Sequence, residues 1–398
     1  MPPARLLDLT RSLRRAGRMP TGVDRVEHAY LDQFINDDVP ALGLIRTAFG
    51  YVLLDRDGMI AFRDRLNGNL KWGRADVLSR LPWRREQALT QAETDVRRHA
   101  MARCLPPRLG RMLQQYLPSG FAYYNVGHSN LTDRVFQNVH SASGSIEVMI
   151  HDVIPLEYPQ YQRPGTIAPF RAKLERVRRH ADRVIYNSED TRQRTETVMQ
   201  EWGPLPRGIV SHLGTISTVP QLSELPAGLP PQEPYFITTG TIEPRKNHRF
   251  LLDLWGRMGA DAPVLLICGS RGWNNDAVFA QLDQLTPEGR IREIANLNDG
   301  AMSALVERSA GMLFPSHAEG FGLPPIEALQ LGTRVLCNDL TVLHEIIGDN
   351  ATFAPVSNPE LWLKTIQSWK EMPPPADKEA IFVGPSWTNH FKTVLRLR

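Results

Sequence analysis

Residues 315–332 read Pro-Ser-His-Ala-Glu-Gly-Phe-Gly-Leu-Pro-Pro-Ile-Glu-Ala-Leu-Gln-Leu-Gly. They follow a short apolar run, so a buried strand is expected to pass through a glycine turn into a helix. That order suits an anion. Gly320 and Gly322 let the backbone approach a ligand, and Pro324 and Pro325 fit the first helical turn, where a missing N–H costs least. Unpaired N–H groups and the positive helix end then face one point. Glu319 leads the turn and Glu327 rides the helix, so the two carboxylates do not simply stack on one helical face.

A second segment, Thr-Gly-Thr-Ile-Glu-Pro-Arg-Lys-Asn at 239–247, closes an expected strand and sets Arg245 and Lys246 at its carboxyl end. Two cations there can neutralise a diphosphate, each charge-assisted contact contributing roughly 1.5–3 kcal/mol. Taken singly, an Arg-Lys pair is ordinary solvated surface and capping glycines are ordinary turns. The presence of both segments in one half of the chain makes the phosphate reading specific. No Asp-x-Asp cluster for a divalent ion accompanies them in that half of the chain, and no Gly-x-Gly-x-x-Gly follows an expected strand, which disfavours a dehydrogenase.

These motifs need a scaffold that brings strand ends together. Apolar runs at 4–10, 120–126, 146–153 and 183–187 read as strands, and helical periods cover 22–35, 167–181 and 190–202, with Asp190 as a cap for the last. Residues 46–117 fit less well: Asp57-Gly58 and Asn67-Gly68 signal a hairpin-like insertion before a polar helical stretch. Prolines between 214 and 234 are too dense for a helix or central strand and mark a linker. A second alternating series follows, with strands at 235–239, 264–269, 293–297, 312–315 and 334–338. Its helices are expected at 248–258, 276–285, 302–309 and after Pro325. Pro373-Pro374-Pro375 is a late breaker, and an apolar terminal helix opens at Ser386-Trp387. Two doubly wound α/β domains are expected, with ligands outside the carboxyl ends of their strands.

Composition bounds the rest. The 398 residues, 42% hydrophobic and 22% charged, suit two globular domains. Cys104, Cys268 and Cys337 lie far apart without metal-ligand spacing, which points to a reducing compartment. The first residues lack an export signal and no stretch approaches a membrane span, so a cytoplasmic protein is expected. Residues 1–220 hold 31 Lys and Arg against 23 Asp and Glu, whereas the remainder holds 15 against 20. Solvated helix faces explain that asymmetry, as does an anionic membrane surface or lipid-linked acceptor; nucleic acid fits it least.

The paired glutamates Glu319 and Glu327, seven residues between them, together with Gly240-Thr-Ile-Glu-Pro-Arg-Lys-Asn247, resemble the retaining GT-B glycosyltransferases of family 4, of the bacterial mannosyltransferase and polysaccharide-assembly type. Thr21-Gly22, Asn125-Val-Gly-His-Ser-Asn-Leu131 and His151-Asp152 look like that family's cleft loops, in the same order. The resemblance implies two Rossmann-like domains facing a cleft. Residues 1–215 plus a crossing-back helix at 386–398 would hold the acceptor, and residues 216–385 the nucleotide sugar. Glu319 would hold donor-sugar hydroxyls and Glu327 the ribose, while the backbone of Gly320, Phe321, Gly322 and Leu323 contacts sugar or diphosphate. Gly22, Gly240, Thr241, Arg245 and Lys246 would complete the donor site, with Lys246 balancing the leaving diphosphate. His151 would sit by the transferred sugar as a catalytic residue, and Thr21, His128 and Asp152 on the acceptor side. Many relatives carry an arginine where this chain has Thr241, which leaves Arg245 as a candidate to supply that charge.

By the same resemblance, a hexosyl residue moves with retention from a nucleoside-diphosphate sugar, GDP-mannose favoured, to a glycan or lipid-linked acceptor in surface-polysaccharide assembly. No divalent metal and no further cofactor is required. A UDP- or dTDP-sugar donor and an inactive glycan-binding relative are the alternatives. A retaining glycosidase also needs two carboxylates but leaves the cationic loop unexplained.

Overall fold

The computed structural model describes residues 3–80, 86–215, 218–286, 288–372 and 382–396. Eight strands form the first sheet: β1 (Arg5–Asp8), β2 (Ala41–Thr47), β3 (Gly50–Leu54), β4 (Ala102–Cys104), β5 (Phe121–Asn125), β6 (Gly144–Ile150), β7 (Arg183–Tyr186) and β8 (Arg207–Val210). Their order is β4-β3-β2-β1-β5-β6-β7-β8, parallel except where β3 pairs with β2 and β4. Six parallel strands form the second sheet: β9 (Tyr235–Thr239), β10 (Val264–Cys268), β11 (Ile291–Ile294), β12 (Gly311–Phe314), β13 (Val335–Cys337) and β14 (Thr352–Phe353), ordered β11-β10-β9-β12-β13-β14.

Helices cover both faces of each sheet, which is why the central strands read as unbroken apolar runs rather than alternating ones. Leu6 and Leu7 enter opposite core clusters, as do Phe236 and Ile237. The order of connections reverses between β1 and β5 in the first sheet and between β9 and β12 in the second, so each domain has its crevice there. Both chemistry-bearing segments of the second half leave from that point, one after β9 and one after β12.

The terminal helix Trp387–Leu395 packs on the first domain. The Phe391 ring lies 5.0 Å from Tyr30, His390 Nε2 is 2.8 Å from the Tyr30 hydroxyl, and the Arg183 guanidinium donates to the Val394 carbonyl. No helix among the described residues is long and apolar enough to cross a membrane.

Several local expectations need correction. Asp57-Gly58 is no hairpin turn: it lies in the first turn of the helix Arg56–Leu66, capped by Asp55, whose side chain accepts from the Gly58 N–H. Asn67 ends that helix, and the actual hairpin is β2–β3. The helix Glu189–Gln200 is capped by Ser188, with Asp190 in its first turn. The helix expected after Pro325 starts at Leu323, taking both prolines into its first turn, and the strand expected at 293–297 is β11, displaced toward the N-terminus. The proline run at 373–375 lies outside the described residues.

Candidate active site

The loop after β9 turns at Gly240, whose φ of 119° a side chain would strain, and continues into one turn of 3-10 helix, Pro244–Lys246. This turn aims both cations at Glu319. Lys246 Nζ lies 2.7 Å from Glu319 Oε1, and an Arg245 guanidinium nitrogen 2.8 Å from Oε2. Arg245 also binds Glu243 at 2.6 Å and donates to the Ala318 carbonyl, while Lys246 Nζ sits 4.5 Å from the centre of the Phe314 ring. Arg245 is therefore fully engaged beside Glu319. Thr241 lies beside Gly272 instead, where an added Cβ would meet its methyl at 2.7 Å.

Burial alone would raise the Glu319 pKa, but Arg245 and Lys246 outweigh it and hold the carboxyl down from 4.5 to about 2. Burial lowers the Lys246 pKa against the pull of Glu319. Because the Glu319 value is depressed, its stabilising contribution is complete above about pH 4.5 and is lost as pH falls toward 2. At neutral pH, Glu319→Gln should cost about 3–5 kcal/mol, since it leaves buried cations short of a partner. In denaturant titrations, the gap between wild type and variant should narrow below pH 4.5; a gap independent of pH from 7 to 3 would contradict this ion cluster.

After β12 the chain runs through Glu319 and the left-handed Gly322 (φ 92°) into the helix Leu323–Gln330. Its N-terminus meets the N-terminus of the helix Gly22–Asn36 from the other domain: a Cβ on Gly22 would lie 3.2 Å from Leu323. Two positive helix ends thus converge at the cleft. Glu327, on the second-domain helix, is bound at 2.7 Å by Arg25, one turn into the facing helix, and Arg25 also reaches Asp299 at 2.9 Å. Burial raises the Glu327 pKa while Arg25 opposes the rise.

Gly320 closes the wall. A methyl group there would overlap the His151 carbonyl oxygen and lie 3.0 Å from Asp152 Cβ. From the first domain, Thr191 Oγ1 donates to the Gly320 carbonyl at 3.0 Å and Arg194 to the Glu319 carbonyl at 3.3 Å. Glu345 crosses the other way to accept from the N–H groups of Glu189 and Asp190. Phe321 is buried, with its ring 6.1 Å from His212.

His151 follows β6 and His128 follows β5, with ring centres 5.2 Å apart. Burial is the main cause that lowers their pKa values, to about 4 for His151 and about 3 for His128, so both are neutral at pH 7. Their Nε2 atoms face the Val126 and Met149 carbonyls at 2.6 and 2.7 Å. A carbonyl only accepts, so in each ring Nε2 carries the proton and Nδ1 the lone pair. Asp152 is half-buried, and burial raises its pKa against the pull of Arg245. Thr21 and Gly22 are exposed, and the Asp24 carboxylate accepts from the Thr21 N–H and hydroxyl, both at 2.7 Å.

The structure thus gathers Glu319, Arg245 and Lys246 directly, and brings Gly22, Gly320 and Glu327 to the seam between domains. Sequence reasoning missed Arg25, Thr191, Arg194 and Glu345. Arg25 had a signal, one turn after Gly22 on an expected helix; the other three depend on which helices face the glycine segment.

Residues 225–381 match the model of the family described as glycosyl transferases group 1. The second half of the chain thus carries the match to that glycosyltransferase family. The chain is 32% identical over 241 residues to the serotype-specific mannosyltransferase WbdA of Escherichia coli, an alignment covering 56% of this chain and 29% of WbdA. It is 33% identical over 147 residues to O-antigen chain mannosyltransferase B of Escherichia coli, covering 35% and 39%. The chain therefore spans well under half the length of either relative. Among solved structures, Anabaena HepE in complex with UDP-glucose superposes with a TM-score of 0.60 at 15% identity, over 92% of this chain and 90% of that one. The chain has the GT-B arrangement: two α/β domains about a cleft, with a terminal helix returning to the first.

Proposed function

We propose that the protein transfers a glycosyl residue from a nucleoside-diphosphate sugar to an acceptor in polysaccharide-type assembly. On this reading residues 216–385 hold the donor, and residues 1–215 with the helix at 386–398 hold the acceptor. The observation that carries the reading is the cluster of Lys246, Arg245 and Glu319 at the β9/β12 crevice, on the glycine turn that leads into the helix Leu323–Gln330. As the sugar–oxygen bond breaks, negative charge grows on the diphosphate. Lys246, Arg245 and the helix ends gathered at this crevice would offset that charge as preorganised electrostatic stabilisation. Glu319 aligns the cations and accepts from sugar hydroxyls; Glu327 accepts from the ribose, exchanging its contact with Arg25. The acceptor oxygen bonds the anomeric carbon on the face the diphosphate leaves, and its proton passes to a diphosphate oxygen, so configuration is retained. Neutral His151 lies at the acceptor wall, and the arginine excess of the first domain supports work at a cytoplasmic membrane face on a lipid-linked acceptor.

The mannosyltransferase names of the two sequence relatives support a mannosyl donor such as GDP-mannose. The HepE complex supports a UDP-sugar, with dTDP-sugars as a third class. Incubation with GDP-mannose, UDP-glucose and dTDP-glucose, measuring release of nucleoside diphosphate, assigns the base; release from none of the wider set of sugar nucleotides would sink the reading. Since cations of the chain offset the leaving charge, release should persist in excess EDTA. Loss in EDTA restored by manganese or magnesium would contradict that. Glu327→Gln removes a contact made equally in ground and transition states, so donor KM should rise about tenfold with kcat near wild type. A fall in kcat at unchanged KM would assign Glu327 another task.

A further inference from the structure

Arg25 belongs to the first domain, one turn into the helix Gly22–Asn36, yet both of its ion-pair partners belong to the second. One guanidinium nitrogen donates to Glu327 Oε1 at 2.7 Å and the other to Asp299 Oδ1 at 2.9 Å. The planar fork of an arginine is suited to spanning two acceptors at once. The carboxylates come from different helices, Leu323–Gln330 and Asp299–Arg308, and neither has another cationic partner among the described residues. One side chain therefore ties the first domain to two helices of the second.

The same side chain takes up space. The cavity that Arg25, Glu327 and Asp299 border with Thr239, Ser303 and Met312 holds about 40 Å³, whereas small-molecule sites run to roughly 300 Å³ or more. A nucleoside does not fit beside Glu327 while Arg25 lies there. The contact is also one that a ligand can replace. The Arg25 side chain is 40% exposed and that of Asp299 56%, so solvent screens these pairs and each contributes little to holding the domains together. An Arg25 that leaves Glu327 keeps a charge partner in Asp299, and the freed Glu327 carboxylate is left with acceptor oxygens for hydroxyl donors.

We infer that Arg25 competes with the nucleoside of the donor for Glu327. It fills the ribose place while the site is free, withdraws to Asp299 when a nucleotide enters, and returns to Glu327 as the nucleoside diphosphate leaves. Competition at Glu327 rests on the ribose role proposed for that residue. Because Arg25 ties the two domains, the exchange also loosens this end of the cleft on donor entry and refastens it after product release.

The test titrates the full chain calorimetrically with GDP and with UDP, and continues with whichever binds more tightly. Removing a competitor tightens binding, whereas removing a merely structural tie does not. Arg25→Gln should therefore bind the nucleotide about three- to fivefold more tightly than wild type, the range for one exposed ion pair, and release it more slowly by a similar factor in stopped-flow displacement. In the Glu327→Gln background the same Arg25→Gln change should add nothing. The ribose contact is read separately, in the Arg25→Gln background, where Glu327→Gln should weaken the nucleotide by roughly thirty- to fiftyfold, within the range of a charge-assisted contact. Such a loss without any tightening by Arg25→Gln overturns the competition and leaves the ribose role standing. No loss there overturns the ribose role and the competition with it. Weaker binding by Arg25→Gln overturns the competition by making Arg25 a direct ligand of the nucleotide, and a tightening that persists in full in Glu327→Gln overturns it by placing the effect elsewhere.

Discussion

Lys246→Ala is expected to lower kcat by roughly 100- to 1,000-fold, the range for losing one preorganised donor from a site of developing charge. Its ammonium is fixed by Glu319 at 2.7 Å and by the Phe314 ring, so it needs no reorganisation when the diphosphate leaves. The fold should tolerate the change. Arg245 still neutralises Glu319 at 2.8 Å, so no buried carboxylate is left alone. Steady-state kinetics with the identified donor separates the outcomes. A variant with wild-type kcat and KM would show that Lys246 serves only the ion cluster.

The second large effect is expected at Gly320, for a different physical reason. A Cβ there would collide with the His151 carbonyl oxygen, which is backbone and is itself held by the Asn187 amide at 2.9 Å. Neither side can yield by rotating a side chain, so Gly320→Ala should hold the domains apart. The second domain would keep its cations but lose its register with the first, and a misplacement of about 1 Å costs on the order of 100-fold in rate. Nucleoside diphosphate affinity should change little while transfer falls by about that factor or more. A variant with wild-type transfer would show that the contact opens freely during turnover.

Much of the candidate site is legible in the sequence because its residues are marked twice, by type and by position. Arg245, Lys246 and Glu319 are charged groups placed after short apolar runs, where open α/β sheets expose their strand ends. The switch between β9 and β12 explains why two segments more than sixty residues apart in sequence converge. Across the cleft, legibility fails. Arg194 and Glu345 lie on amphipathic helices whose charged faces look like any solvated face; only domain packing turns them toward the Glu319 carbonyl and the helix beginning at Glu189.

The local errors have one root. Asp and Asn bond to nearby backbone N–H groups both in turns and at helix starts, so composition alone does not separate the uses. Asp55-Arg56-Asp57-Gly58 became a capped helix rather than a turn, because Met59 and Phe62 bury one face of that helix in the core. Ser188 displaced Asp190 as a cap by the same ambiguity, two residues apart.

The central claim is that the loop after β9 and the helix starting at Leu323 recognise a nucleoside diphosphate. Calorimetric titration of wild type and Lys246→Ala with the diphosphate and monophosphate of the same nucleoside tests it most directly. Each charge-assisted contact to the second phosphate contributes roughly 1.5–3 kcal/mol, so wild type should bind the diphosphate at least about tenfold more tightly than the monophosphate. That preference should largely vanish in Lys246→Ala. Equal affinity for the two nucleotides in wild type, or a preference untouched by Lys246→Ala, would contradict the account.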